Sequence, residues 1–386
     1  YDLLSGITIL EVAQFGPDAT GGFLADLGAR VIKVEEPDGG DPIRHAGPKA
    51  VGNPNGMGYL HLRWNRGKQS IALDLASEDG KAAFRRLAAK ADAVVEGMRA
   101  GVLERMGLSL AALQEENPQL VFCSVSGMGR SGPYSDMASH GPSFDAFAGI
   151  GQPAGPAIGK YDGPQPASVG MYAVGLYAAL GLLAAVVEAR RTGKGRLVEI
   201  AAAEAAAHWL PEALDPLLNP DLTFDRPGFA DASGRMRLWA RMDNYRCRDG
   251  RLIFLQSLTD KSWRSLVTLL ERPDLDAIYV RQPQTGDEDR EVAAELETIF
   301  ATRDRDEWLA LFRPANVAAM PVNTPAETIV DPHFIARPNI YARALADGRE
   351  LRLTGSPIRI EGADFAPPLP PTLDEHGPVI RAEFGL

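Results

Sequence analysis

The first two hundred residues alternate between short apolar, β-branched runs and longer segments with small and apolar residues at helical spacing. Ile7-Thr8-Ile9-Leu10-Glu11-Val12 reads as a strand. Residues 19–27 read as a helix, and Gly28 stands where a left-handed residue commonly ends one. Residues 29–35 form a second apolar run, which completes a β–turn–α–β unit the size of a parallel crossover. Further strands are expected over 70–74, 93–96, 120–126 and 197–200. Between them lie a helix from Ser77 to about 91, with Ser77 as its cap and acidic residues in its first turn, and a short helix over 110–116. Strands alternating with helices in this way predict a doubly wound, mostly parallel sheet. The run 172–187 is rich in Ala and Gly and falls short of the ~20 residues of a membrane span. It predicts a buried helix over 172–191, and another helix is expected over 202–218.

Segments 36–64 and 127–170 are interrupted by Gly, Pro and Ser and read as loops; a long irregular stretch inside a compact domain is usually functional. Composition shifts again over 219–235. The run 245–255 reads as a hairpin with an Asp249-Gly250 turn, and helices over 261–271, 288–302 and 305–313 complete a smaller α+β unit. The tail is rich in Pro but has enough Ile, Leu and Phe to pack, so it is expected to return to the first domain or to another subunit. With 386 residues, more than one core usually carries, the expected division is a large domain over 1–218, a small domain with linkers over 219–325, and a C-terminal return over 326–386.

Composition narrows the function. Hydrophobic content of 45% and charged content of 24% are ordinary for a globular protein. A formal net charge of −11 argues against nucleic acid or an anionic membrane as partner. Cys123 and Cys247 are too few for a disulfide framework, and no metal-ligand spacing occurs, so no metal is expected. The opening Tyr1-Asp2-Leu3-Leu4 has no basic leader region, and the cytoplasm is the expected compartment.

Two stretches carry candidate chemistry. Asn65-Arg66-Gly67-Lys68 is a basic turn leading into the strand at 70–74. Gly97-Met98-Arg99-Ala100-Gly101 leaves the strand that ends at Glu96. Both place cations and free backbone N–H groups at the end of a buried strand, where open α/β sheets bind anions. The first crossover lacks G-x-G-x-x-G, so a dinucleotide site of the usual kind is not expected.

Six motifs in order carry a family resemblance. They are Gly16-Pro17 with Leu24-Ala25-Asp26-Leu27-Gly28-Ala29, Val31-Ile32-Lys33-Val34-Glu35 and Gly40-Asp41-Pro42; Asn65-Arg66-Gly67-Lys68 with Leu73-Asp74-Leu75; the run from Val95-Glu96-Gly97 to Arg105-Met106-Gly107; Ser124-Val125-Ser126-Gly127 through Gly132-Pro133-Tyr134; Thr192-Gly193-Lys194-Gly195; and Gly355-Ser356-Pro357-Ile358. On these the chain resembles the family III CoA-transferases (the CaiB/BaiF family), which also contain α-methylacyl-CoA racemases. The resemblance implies a Rossmann-like large domain, a smaller α+β domain and a C-terminal segment returning to the large domain. It also implies an interlocked dimer in which each chain threads through the other, either a homodimer or a heterodimer with a homologous subunit. Coenzyme A and acyl-CoA are implied as substrates, with a small carboxylic acid as second partner. Gly97, Arg99 and Arg105 match positions that hold the nucleotide, Leu73, Asp74 and Leu75 match a segment bordering adenine, and Gln14 matches a position near the thioester. Arginine suits this because its guanidinium fork binds phosphate bidentately. Glu36 and Pro37 stand where many relatives carry an arginine.

The resemblance also implies a nucleophilic Asp that attacks the thioester and passes through a mixed anhydride; a carboxylate suits this because it is already ionised at neutral pH. In Val169-Gly170-Met171-Tyr172 the matching residue is Met171, and the nearest upstream carboxylate is Asp162. The racemase branch implies a His/Asp pair; His140, in Ala138-Ser139-His140 with Gly149 beyond, matches its histidine and is an acid/base by chemistry. Asp145 is a candidate for the missing carboxylate, and Glu204 is a further carboxylate of this region. Three readings stand: a transferase with an altered centre using His140 and Asp145, a CoA-binding subunit completed by a homologous partner, and an acyl-CoA racemase or other proton-transfer enzyme.

Overall fold

The computed structural model describes residues 1–49, 56–150, 168–222, 239–278, 290–337, 339–345 and 348–386. Contacts divide the chain into two units, Tyr1–Leu210 together with Pro338–Leu386, and Pro211–Arg337.

The first unit is built on six strands: β1 (Thr8–Ala13), β2 (Arg30–Glu35), β3 (Gln69–Ala72), β4 (Ala93–Gly97), β5 (Val121–Ser126) and β6 (Leu197–Ala201). All pair in parallel, in the order β3-β2-β1-β4-β5-β6. The strands are apolar almost throughout because a parallel sheet is covered on both faces. On one face Ile9, Val95, Cys123 and Val125 meet Val174, Ala178 and Leu182 of the helix Val169–Thr192. On the other, Leu10, Val94 and Phe122 meet Phe84 and Leu87 of the helix Glu78–Ala88 and Ile380 of the helix Gly377–Phe384. Strand order reverses between β1 and β4. The crevice at their C-terminal ends is therefore the switch point of the sheet.

The helix Val169–Thr192 has 24 residues, more than the sequence pattern suggests, and is long and apolar enough by length and composition to cross a membrane. It begins at Val169 because Ser168 caps it, accepting the Met171 N–H at 3.4 Å. Its buried face is rich in Ala and Gly because the first helix, Asp18–Asp26, lies close: a Cβ on Gly175 would sit 2.7 Å from Ala19 Cβ.

Three segments depart from expectation. The stretch 36–64, read as loop, contains a 3-10 turn, Pro42–His45, and a helix, Tyr59–Trp64. Asp41 starts the first by accepting the Ile43 N–H at 2.9 Å, with Pro42 at the first position where no N–H is needed. The stretch 127–170 contains the helix Pro142–Ala148, and its residues 151–167, with Asp162, lie outside the described residues. The helix expected over 202–218 is two helices, Ala202–Ala207 and Pro211–Leu218, because Pro211 disfavours a helical Leu210 and lacks the N–H to continue the ladder.

The C-terminal segment packs on the first unit and covers the free edge of β3. The His376 N–H donates to Ser70 O at 3.0 Å, the Ala72 N–H donates to Asp374 Oδ1 at 2.8 Å, and Arg381 Nη2 donates to Ala72 O at 2.8 Å. An edge left open would offer unpaired backbone groups to other chains. The strands Ile340–Ala344 and Glu350–Thr354 pair antiparallel within this segment.

In the second unit β7 (Met242–Arg246), β8 (Leu252–Gln256) and β9 (Ala319–Val322) form an antiparallel sheet. The β7–β8 hairpin turns at Asp249-Gly250, with Gly250 at φ 79°. The helices Asp260–Leu270, Arg290–Phe300 and Arg305–Ala315 enclose an aromatic core in which Tyr245 stacks on Phe300 at 4.8 Å. Residues 223–238 and 279–289, which include most of the composition shift and the expected start of the helix at 288, lie outside the described residues.

Candidate active site

Charged residues inside buried strands shape the switch point. Glu11 on β1 and Lys33 on β2 are each flanked by buried apolar neighbours and must be paired to be buried. Lys33 Nζ is 2.7 Å from Asp18 Oδ1 and 2.8 Å from Asp41 Oδ2, and donates to Ala13 O at 2.8 Å. Lys68 Nζ is 2.5 Å from Glu11 Oε2 and also donates to Asp18 O and Asn65 Oδ1, both at 2.9 Å. Burial drives Asp18 well above the usual carboxylate range, while Lys33 and hydrogen bonds hold Asp41 below it despite its own burial. Glu35 is brought down to about 2: burial would raise it, but the Arg44 guanidinium, Lys33 and the Ser70 hydroxyl outweigh that. His61, buried and beside Arg44 and Lys33, is pushed down to about 3 and sits neutral, its Nδ1 3.1 Å from Asn65 Nδ2.

This network corrects the reading of Asn65-Arg66-Gly67-Lys68 as an anion site. Arg66 is fully buried and bidentate to Asp26 at 2.7 and 2.6 Å, with its guanidinium against the rings of Tyr341 and Phe365. Lys68 is spent on Glu11. Both cations are tied to partners within the fold, Arg66 to the first helix and the C-terminal segment and Lys68 to β1 and the first helix, and neither lines either of the cavities described below.

Directly after Ala13, which Lys33 holds, the chain turns through Gln14-Phe15-Gly16-Pro17. Phe15 adopts φ 58°, a conformation rare for a bulky residue, and its ring lies 5.7 Å from that of His140. Two cavities adjoin here, sharing Gln14 and Met98 as wall residues. The smaller, of about 260 Å³, is bordered by Leu73, Asp74 and Leu75, with Glu36 also on its wall. The larger, of about 670 Å³, is lined by Gln14, Gly97, Arg99, His140 and Met171 among others. Gly97 is required by close approach: a Cβ there would lie 2.5 Å from Ala13 Cβ and from Pro17 Cβ. The loop carrying Arg99 is anchored by Glu96, which accepts the Leu103 N–H at 2.8 Å and the Ser124 hydroxyl at 3.2 Å. Arg99 is exposed and has no ion pair among the described residues. Arg105 is exposed, lines neither cavity, and makes a 3.4 Å bond to Ala100 O.

His140 lines the larger cavity, and its ring has no hydrogen bond among the described residues. Asp145 does not line it. Its carboxylate accepts the N–H groups of Val169 at 3.0 Å and Gly170 at 2.7 Å, tying the helix Pro142–Ala148 to the start of the long helix. Met171 lies in the first turn of that helix and packs on the cluster of Ala19, Ile43 and Trp64; a Cβ on Gly16 would come within 2.9 Å of its Cγ. Glu204 is exposed and away from the cavity walls. Among the described residues no carboxylate lines the larger cavity.

The roles of Phe15 and Lys33 emerge only from the fold. Lys33 carries a signal, a charge between Ile32 and Val34 inside a buried strand. The left-handed backbone of Phe15 has none.

The adjoining cavities lie at the switch point of a doubly wound α/β sheet, the place where open sheets of this kind bind their ligands. The chain belongs to CoA-transferase family III, whose family model matches residues 4–377. It is 32% identical over 359 residues to the succinyl-CoA–L-malate CoA-transferase alpha subunit of Chloroflexus aurantiacus, covering 89% of this chain and 79% of that one. It is 32% identical over 396 residues to the succinyl-CoA:mesaconate CoA-transferase of Haloarcula hispanica, covering 99% and 96%. Among solved structures it resembles a CaiB/BaiF family protein from Brucella suis, at 30% identity and a TM-score of 0.78, with 99% of both chains covered. It also resembles Rv3272 of Mycobacterium tuberculosis, at 26% identity and a TM-score of 0.82, covering 98% of this chain and 99% of that one.

Proposed function

We propose that this chain binds an acyl-CoA with its nucleotide beside Leu73, Asp74 and Leu75 and its thioester beside Gln14, His140 and Met171, and takes part in moving CoA to a small carboxylic acid. The observation that carries this is that the two cavities adjoin, sharing Gln14 and Met98 as wall residues, side by side as a long ligand lying across both would require. Gly97 lets the ligand approach the backbone, and the phosphates fall to Arg99 and Arg105.

The centre is atypical. The Met171 thioether has no ionised oxygen to attack a thioester and no proton to exchange. Transfer without a protein carboxylate is chemically complete: the incoming carboxylate attacks the thioester carbonyl and expels CoA thiolate. That thiolate then attacks the acceptor carbonyl of the resulting anhydride and releases the donor acid.

A second reading is a catalytically incomplete subunit that a homologous chain completes. It is favoured by the relative named as an alpha subunit and by the absence of a carboxylate from the described walls. The stripe of Tyr172, Leu176, Leu180 and Val187, exposed on the long helix, supports a homologous chain as partner. His140 on the cavity wall keeps α-proton exchange within reach, for which deuterium wash-in is the assay.

The test is mass spectrometry after incubation with acyl-CoA and hydroxylamine. No modified Asp or Glu is expected in this chain, alone or with a homologous partner; a modified carboxylate here would overturn the reading of the centre. Met171→Asp should create such an adduct, because the first turn of a helix favours a carboxylate in its charged form. Failure to do so while CoA still binds would refute the placement of the thioester.

A further inference from the structure

The described walls of the larger cavity are mostly apolar, with the hydroxyls of Ser126, Ser135 and Ser139 among them. Phe15, Met98, Met128, Met137, Phe144 and Met171 dominate the described lining, and four of these six are thioethers. Among the described lining residues the only cationic or titratable groups are Arg99 and His140. Arg99 sits two residues beyond the end of β4, on the loop that Glu96 anchors, and the reading above commits it to phosphate. With Arg99 committed to phosphate, a distal carboxylate on the acyl group would lose its hydration and meet no second guanidinium among the described lining residues, only serine hydroxyls and His140. An aliphatic or aryl chain would instead replace water along flexible, polarisable side chains that adapt to its shape.

We infer that the acyl group this site takes has no charge at its distal end, being aliphatic or aryl rather than the half-ester of a dicarboxylic acid. The inference rests on the proposed placement of CoA and adds the class of its acyl group. It sets this chain apart from relatives whose names specify succinyl-CoA.

The experiment is calorimetry of the full chain with CoA, butanoyl-CoA, hexanoyl-CoA and succinyl-CoA. Succinyl differs from butanoyl only by a carboxylate in place of the terminal methyl, so that pair isolates the charge. Succinyl-CoA should bind about tenfold or more weakly than butanoyl-CoA. Hexanoyl-CoA should bind roughly tenfold more tightly than butanoyl-CoA, at up to fourfold per buried methylene. Met137→Arg, on an exposed part of the wall, should narrow or reverse the succinyl–butanoyl gap, read as a ratio against CoA itself. Succinyl-CoA binding as tightly as butanoyl-CoA to the unaltered chain, with CoA itself bound, would overturn the acyl assignment alone. No binding of CoA or of any thioester would overturn the placement of the nucleotide, and this inference with it.

Discussion

Replacing Lys33 by methionine keeps most of the side-chain volume and removes only the ammonium. That ammonium lies within 2.7–2.8 Å of Asp18, Asp41 and the Ala13 carbonyl, and the three side chains are each no more than 1% exposed. Lys68 and Asn65 still serve Glu11 and Asp18, but Asp41 loses its buried cation. Breaking a buried pair by removing one partner costs about 3–5 kcal/mol. For a unit of this size, about 2–4 °C per kcal/mol translates that into a fall in Tm on the order of 6–20 °C. The loss also has a pH signature. In the unaltered chain Lys33 helps hold Asp41 below the usual carboxylate range. In the variant both aspartates are raised by burial, so the folded state holds protons that the unfolded state has released. A raised carboxylate is least costly below its unfolded value and most costly once pH exceeds its folded value. The stability gap between the two proteins should therefore narrow from about pH 7 to about pH 5. Urea denaturation followed by tryptophan fluorescence at the two pH values reads both effects. Adding Asp18→Asn should return part of the loss, because neighbours in one network are not additive. A gap below about 1 kcal/mol at neutral pH, the value of an exposed pair, or a gap independent of pH, would refute the reasoning.

Arg99→Ala should weaken CoA binding by roughly 10–100-fold, as expected for hydrogen bonds to a charged group, while Tm stays unchanged; calorimetry and a thermal scan together check this. Asp145→Ala should cost about 1–2 kcal/mol through the freed N–H groups of Val169 and Gly170, whereas Asp145→Asn should cost less. Loss of turnover in Asp145→Asn at unchanged Tm would instead mark a chemical role. His61 is neutral in the folded chain, with its value pushed down to about 3. The stability this reflects is complete above the ordinary histidine value of about 6.5 and is lost as pH falls toward 3, amounting to about 2–3 kcal/mol by pH 4.5. The denaturation midpoint of His61→Gln should therefore fall less steeply with acid than that of the unaltered chain.

Local pattern located the sheet well. The strand at Arg30–Glu35, the Gly28 stop before it and the Ser77 cap all follow from propensities that act within a few residues. The motifs at Gly97, Arg99 and Leu73–Asp74–Leu75 were legible for the same reason: each is a contiguous run at a strand end, and each lies at a cavity wall. The residue at the centre, Met171, was legible only against the family's pattern, since nothing in a methionine's own chemistry marks it.

Long-range pairing was not legible. Arg66 looked like a ligand-facing cation, and nothing beside it in the chain announces that Asp26 and the carbonyl of Thr354 satisfy its guanidinium. Asp145 was a candidate for the missing carboxylate or for a helix cap, and only the fold shows that the helix it serves begins 24 residues away, at Val169 and Gly170. The order of residues was enough to say where strands, caps and glycine-dependent turns fall, because those depend on torsions and neighbours in sequence. Which charges are left to meet a ligand depends on which are already neutralised by partners distant along the chain, and only the assembled fold makes those pairings.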